Sequence, residues 1–277
     1  MKQVVQDILD MMSNPPKVTQ EWADELGNGI SNMLMNRLND TEPRYKLRLS
    51  ALGQGDRKLW YGVRPDTPKE ELSPETRIKF LYGDIIELVY FALIKLAGHK
   101  VTGEQDEVEL EGIKGHIDGY VDGVLIDVKS ASSFSFNKFK DETVQMSDPF
   151  GYYAQMGAYA EATNSPVGGW FVMDKQLGKL CFSRALESYV PNMRQRAIDV
   201  KQMVEQQCEP ERCAEPVPDG KSGNMKLATI CSYCDFKKHC YRDANDGQGL
   251  RTFIYSNGPR FLTSVTKLPK VSEAYDD

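Results

Sequence analysis

The pattern of apolar and polar positions changes twice along the chain. Residues 2–12 and 19–39 carry helical spacing, the second helix opening at Thr19 with Glu21 and Glu25 near its start. The stretch 40–62, DTEPRYKLRLSALGQGDRKLWYG, is mixed, basic and interrupted by glycine, the pattern of a segment crossing a surface. Pro65, Pro68 and Pro74 then punctuate a linker into a long helix over 75–97. After Gly98 the period shortens to two, with Val108 and Leu110 alternating with Glu107, Glu109 and Glu111. Two β-rich runs follow, KGHIDGYV and VLIDVKSAS, joined by Asp122-Gly123, a strong signal for a type I′ hairpin. A helix over 149–163, the strand VGGWFVMD, a short strand near LCFS and a long helix over 184–207 complete the regular part. This order predicts an α/β or α+β fold, a mixed sheet flanked by helices.

Composition narrows the classes. The 277 residues carry 34 Lys and Arg against 40 Asp and Glu, a net charge of −6, which disfavours a generally basic nucleic-acid binder but leaves room for a local basic groove. No apolar run approaches the ~20 residues that span a bilayer. Asp7 and Asp10 interrupt the N-terminus where a signal peptide needs an apolar run, so a soluble, cytoplasmic protein is expected. All six cysteines fall after residue 180: Cys181, Cys208, Cys213, Cys231, Cys234 and Cys240. Such clustering suits a metal site better than a disulfide framework spanning the chain.

The hairpin carries the first candidate chemistry. A two-residue turn at Asp122-Gly123 sets Asp118 across from Asp127 and His116 across from Lys129. Asp118, Asp127 and Lys129 then share one face, while Ile117, Val121, Val124, Ile126 and Val128 form a core face. Opposed like charges cost about 0.2–1 kcal/mol even when exposed. A solvated acid pair beside a turn is one reading, and a divalent cation with oxygen ligands is the other. The long helix weighs for the cation. In IIELVYFALI, residues 85–94, Glu87 is the single charged residue, and a carboxylate buried unpaired in so apolar a run is costly.

At these residues the sequence resembles the PD-(D/E)XK nuclease superfamily. Asp118 and, nine positions on, Asp127-Val128-Lys129 fit the D…(D/E)-x-K signature. Three further matches resemble the RecB-like branch, which includes phage and CRISPR-associated exonucleases. They are Gly83-x-x-x-Glu87, Gln155-x-x-x-Tyr159 on one helix face, and SALGQGDRKLW from Ser50 to Trp60, similar to S-x-L-G-x-C-x-R-x-L-W.

The resemblance implies a restriction-endonuclease-like fold and a metal-dependent DNA exonuclease serving phage or prokaryotic replication, recombination or processing. It implies a nuclease core over 50–207, preceded by an N-terminal helical segment 1–49. A cysteine-rich region over 208–246 and a basic tail over 247–277 would follow. Glu87, Asp118, Asp127 and the Val128 carbonyl would hold Mg2+ or Mn2+. Lys129 would orient or deprotonate the attacking water, or neutralise developing charge. Gln155, Tyr159 and Arg57 would contact the DNA strand, at single-stranded regions or ends, and His116 would stand behind the ligands. Members with a [4Fe–4S] cluster take one cysteine from the SALGQGDRKLW-like segment, where this chain has Gly55, and three from the C-terminal end, where Cys231-x2-Cys234-x5-Cys240 is intact. Cys213 supplies the fourth thiolate across the loop 214–230, with Cys208 in reserve, and zinc stays an alternative to iron–sulfur.

The segment 251–270 has four basic residues and no acid, and FIYSNGPRFLTSV reads as a hairpin at Asn257-Gly258 that contacts DNA, a replication or recombination protein, or solvent alone. A non-catalytic nucleic-acid or partner-binding module is the competing function, and an endonuclease of the same superfamily is a third.

Overall fold

The computed structural model describes residues 1–39 and 45–274, in two compact units: residues 1–53 with 73–198, and residues 54–72 with 199–277. The first five residues of the expected surface-crossing segment, 40–44, lie outside the described residues, as do 275–277 of the basic tail. The remainder of that segment is not a surface strand. Leu49 and Leu52 are buried in the first unit, and Asp56–Gly62 is a helix in the second, with Leu59 and Tyr61 buried. Two apolar residues per turn in DRKLWYG give it a core face that its charge conceals.

In chain order, the elements begin with helices α1 (Lys2–Ser13), α2 (Gln20–Asn39), α3 (Asp56–Gly62) and α4 (Pro74–Leu96). Strands β1 (Val101–Thr102), β2 (Glu107–Leu110), β3 (Ile113–His116), β4 (Gly119–Val121) and β5 (Val124–Ala131) follow. Next come α5 (Ser133–Lys140), α6 (Tyr152–Thr163), β6 (Gly169–Asp174), β7 (Leu180–Arg184) and α7 (Met193–Glu205). The second unit adds β8 (Val217–Pro218), β9 (Met225–Lys226), α8 (Thr229–Ser232), α9 (Lys237–Cys240), β10 (Arg251–Tyr255), β11 (Gly258–Ser264) and β12 (Glu273–Ala274).

The first unit is a mixed sheet flanked by helices, in the order β1-β4-β5-β6-β7, with β5 and β6 parallel and the other pairs antiparallel. One face packs Val121, Ile126, Val128, Phe171 and Phe182 against α1 and α4, through Ile8, Tyr90, Phe91 and Ile94. On the other face Trp170 meets Phe139 of α5 and Tyr153 of α6 edge-on. Because β5 is covered on both faces, its Asp127 is only 1% exposed.

The Asp122-Gly123 turn forms as expected: both residues have positive φ (49° and 81°), and Val121 pairs with Val124. The pairing stops at Gly119–Ile126, however. KGHIDGYV is two strands rather than one, because Ile117 N donates to Asp106 O and Gln105 N to Asp118 O, which bends the chain away. His116 therefore pairs with Glu107 on β2 and not with Lys129.

The expected helix over 184–207 starts only at Met193. Pro191 disfavours helical conformation before it, and Asn192 Oδ1 caps Gln195 N. Helix α5 went unread because SFSFNKFK mimics strand alternation, although Ser132 accepts from Ser135 N as an N-cap.

In the second unit β10 and β11 form the expected hairpin, but it turns at Ser256 and Asn257 rather than at Asn257-Gly258, since Gly258 already pairs with Tyr255, within a sheet ordered β12-β10-β11-β9-β8. The basic segment is a folded part of that sheet. Arg251 forms a bidentate pair with Glu273, and Arg260 binds Asp219 at 2.8 Å.

Candidate active site

Strand β5 delivers Asp127 and Lys129 to the face that carries Trp170, since Asp127 pairs with Trp170 and Lys129 with Val172. Lys129 Nζ donates to Asp127 Oδ1 at 2.8 Å. Asp127 Oδ2 also lies 2.8 Å from that ammonium but without hydrogen-bond alignment, so it is a buried oxygen with no hydrogen-bond partner. Asp118, freed from the ladder, turns its Oδ2 onto Val128 N at 2.6 Å. Asp118 thus reaches the β5 backbone next to Asp127, rather than standing opposite it as a cross-strand pair.

Glu87 joins them from α4. Its Oε1 accepts from Gln105 Nε2 at 2.6 Å, and it opens on a cleft of about 610 Å3 lined by Met33, Arg37, Asp84, Gln105 and His116. That volume lies in the range of small-ligand sites. Arg37 grips Asp84 at 2.9 and 3.1 Å.

Burial raises all three carboxyls, and Asp127 adds to the rise of the other two. Burial, then the Asp127 and Glu87 charges, push Asp118 well above the usual carboxylate range. Burial lifts Asp127 against the opposing pull of Lys129. Burial also pushes Glu87 up to about 7, with Asp127 and Asp84 adding to the rise and Gln105 opposing it. Lys129 moves the other way to an ordinary buried amine: burial pulls it down, but Asp127 and Asp118 outweigh that and hold it charged.

Between about pH 4.5, the ordinary Glu value, and pH 7 the folded chain binds more protons at Glu87 than the unfolded chain, so stability falls as pH rises across this window. Glu87→Gln, in chelator, should therefore melt with wild type near pH 4.5 and above it at pH 8, by on the order of 1–2 kcal/mol. Equal melting of the two proteins at pH 8 would contradict the raised carboxyl.

Gln155 of α6 ties the pair down. Its Nε2 donates to Asp127 Oδ1 at 3.0 Å and to Tyr159 OH at 3.4 Å, while its Oε1 accepts from Lys129 at 3.3 Å. Tyr159 is buried. Gln155 thus bonds the carboxylate–lysine pair directly, and Tyr159 bonds Gln155. Arg57 belongs to the second unit, where its guanidinium donates to Pro210 O at 2.6 Å and pairs with Glu209 at 3.1 Å. Gln105 and Tyr152 were missed from sequence; neither belongs to a motif, and only the fold brings them to Glu87 and Lys129.

The second unit holds the cysteines. Cys213, Cys231, Cys234 and Cys240 line one small cavity of about 20 Å3, together with Gly55 and Tyr241. Cys208 is exposed and Cys181 is buried in the first unit. A Cβ on Gly55 would come within 2.6 Å of the Cys213 Cβ, and closer still to its sulfur. Cys213 therefore fills the space that a side chain at position 55 would need. Burial raises Cys231, and the Cys213 and Cys240 thiols add to it; burial likewise pushes Cys234 up to about 11. Arg57 Nη1 and Tyr241 OH reach the Cys240 and Cys231 sulfurs at 3.7 and 3.8 Å.

Among the described residues no three or more His, Cys, Asp or Glu side chains stand, as placed, at ion-holding separation. The donor sets fit metals chemically. Three carboxyls raised by burial, one with a buried oxygen that accepts no hydrogen bond, suit a hard divalent cation, and four thiols around a cradle suit zinc or an iron–sulfur cluster. No helix among the described residues is long and apolar enough to cross a membrane.

No family model and no curated protein matches the chain. Among solved structures it is similar to the alkaline exonuclease LHK-Exo of Laribacter hongkongensis, at 14% identity over 68% of this chain and 93% of that one, with TM-score 0.37. It is similar also to a protein designated SSO0001 (14% identity, 77% and 93% coverage, TM-score 0.38). LHK-Exo in complex with dAMP matches at 15% identity, 57% and 93% coverage and TM-score 0.36.

Proposed function

We propose that the chain is a metal-dependent DNA nuclease, acting as an exonuclease. The observation that carries this reading is the buried Asp127–Lys129 pair beside Asp118 and Glu87, three acids raised by burial around one fixed ammonium. Glu87, Asp118, Asp127 and the Val128 carbonyl would hold Mg2+ or Mn2+. When bound, such an ion supplies Lewis acidity toward the phosphate and a water of lowered pKa.

The acids beside Lys129 favour its charged form. In that form it presents a positive hydrogen-bond donor where negative charge grows on phosphorus oxygens. Gln155 keeps the ammonium and Asp127 in register. Gln155→Ala should lower turnover of DNA and divalent-ion affinity together, by about 10–100-fold, the range for a partner that orients a ligand. Tyr159→Phe, losing one 3.4 Å contact, should do far less. Normal ion affinity in Gln155→Ala, measured by titration calorimetry, would make Gln155 a strand contact instead.

The thiols of Cys213, Cys231, Cys234 and Cys240 form, in this reading, a structural tetrathiolate site in the second unit, with [4Fe–4S] and zinc as its two candidates. Digestion of end-labelled linear DNA against circular single-stranded DNA tests the activity. Loss of linear DNA alone is expected. Cleavage of circles makes the protein an endonuclease, and binding without cleavage in either ion makes it a non-catalytic module.

A further inference from the structure

The first part of α4 stands in solvent, and the proposed hydrolysis does not use it. Of residues 74–82 only Thr76 and Leu81 are even half-buried, and Ile78, Phe80 and Tyr82 are exposed. The helix comes close to the sheet at Gly83, where a Cβ would lie 3.5 Å from Ser130 Oγ of β5. Helix geometry sorts the three exposed side chains. Phe80 comes seven positions before Glu87, within ~20° of two full turns, so the two share one face about 10 Å apart along the axis. Ile78 and Tyr82 fall on the opposite side of the helix.

Phe80 is 47% exposed, and no ring or cation contacts it among the described residues. Between it and Glu87 on the same face stand Gly83, which has no side chain, and Asp84. The Asp84 carboxylate accepts from Arg37 Nε and Nη2 of α2 at 2.9 and 3.1 Å, and Arg37 and Glu87 line the same cleft. The order along α4 is therefore an open aromatic ring, a held guanidinium and a proposed metal carboxyl, with the exposed Lys79 next to the ring in sequence. A flat apolar face followed by a cation is the arrangement that holds single strands without sequence preference, the base on the ring and the phosphate on the charge. Base faces inside a duplex are already covered by their neighbours, so the open ring suits an unpaired base.

We infer that Phe80 stacks an unpaired base of the strand whose phosphate reaches Glu87, so that single-stranded DNA is the substrate class. This rests on the nuclease reading above. The test is fluorescence anisotropy of the full chain, in chelator, with a labelled single-stranded oligonucleotide and with a fully abasic oligonucleotide of the same length. Both carry the same phosphates, so the ratio of their affinities reads base contacts alone. That ratio should fall about tenfold in Phe80→Ala, the scale of one lost base stack, and stay at the wild-type value in Phe80→Trp. Phe80→Leu, apolar but without a ring, should fall as Phe80→Ala does. A ratio equal in wild type and Phe80→Ala, or one that Phe80→Leu retains, overturns the stacking role. A duplex of that length should bind wild type and Phe80→Ala equally, and a duplex weakened as much as the single strand overturns the unpaired-base assignment. If wild type still digests DNA in those cases, the nuclease reading survives; a wild type that neither binds nor digests DNA removes both. Far-ultraviolet circular dichroism checks that the variants fold, which an exposed position favours.

Discussion

Asp118→Asn and Lys129→Ala should each slow DNA hydrolysis at least ~100-fold, the loss that follows removal of a group acting on the transition state. Their effects on stability should have opposite signs. Asn at 118 can still accept from Val128 N while removing a charge that Asp127 and Glu87 oppose, so Asp118→Asn should melt higher than wild type at pH 8 in chelator. Lys129→Ala strips the fully buried Asp127 of its counter-charge, and breaking such a pair costs about 3–5 kcal/mol unless the acid takes up a proton. Activity lost from a stabilised protein cannot be blamed on unfolding. An Asp118→Asn protein of full activity would remove this carboxyl from the chemistry.

The second large effect concerns the thiols. Gly55→Cys alone should destabilise the second unit, because its side chain would overlap the Cys213 side chain. Cys213→Gly alone should lose bound metal and the cooperative melting of that unit. The double variant should recover both, since a sulfur at 55 would then occupy the space that Cys213 vacates, and Gly55 lies at the extended position before α3 with φ −67°, open to any residue. Metal analysis for iron, sulfide and zinc on anaerobically purified protein reads the outcome. A brown protein absorbing near ~400 nm indicates iron–sulfur, and a colourless one with one zinc indicates the alternative. Full metal content in Cys213→Gly would exclude Cys213 from the site.

Much of the site was legible because its signals are local. Asp118, Asp127 and Lys129 flank a turn whose type Asp122-Gly123 fixes, and Glu87 stands out as one charge in an apolar run. What the sequence concealed depends on distant partners. Nothing local says that the chain bends at Ile117-Asp118, since the bonds that bend it go to Gln105 and Asp106. That bend replaces a face-to-face acid pair with an Asp118 that holds Val128 N beside Asp127. Gln155 and Tyr159 were legible as a pair on one helix face, but not their direction, because only packing of α6 on the sheet aims them at Asp127. The Glu209 that pairs with Arg57 lies far along the chain, so that contact is not readable locally. Short helices such as α5 fail for another reason: eight residues give too few turns for a period to declare itself.

One experiment decides whether these groups hydrolyse DNA. Linear single-stranded DNA labelled at either end is incubated with wild type and with Asp118→Asn, in Mg2+, in Mn2+ and in chelator, and released nucleotides are counted against time. Wild type should release nucleotides with either ion and none in chelator, and Asp118→Asn should release at most ~1% of the wild-type rate. Release that persists in chelator, or is the same for both proteins, would contradict a metal-dependent carboxylate–lysine nuclease.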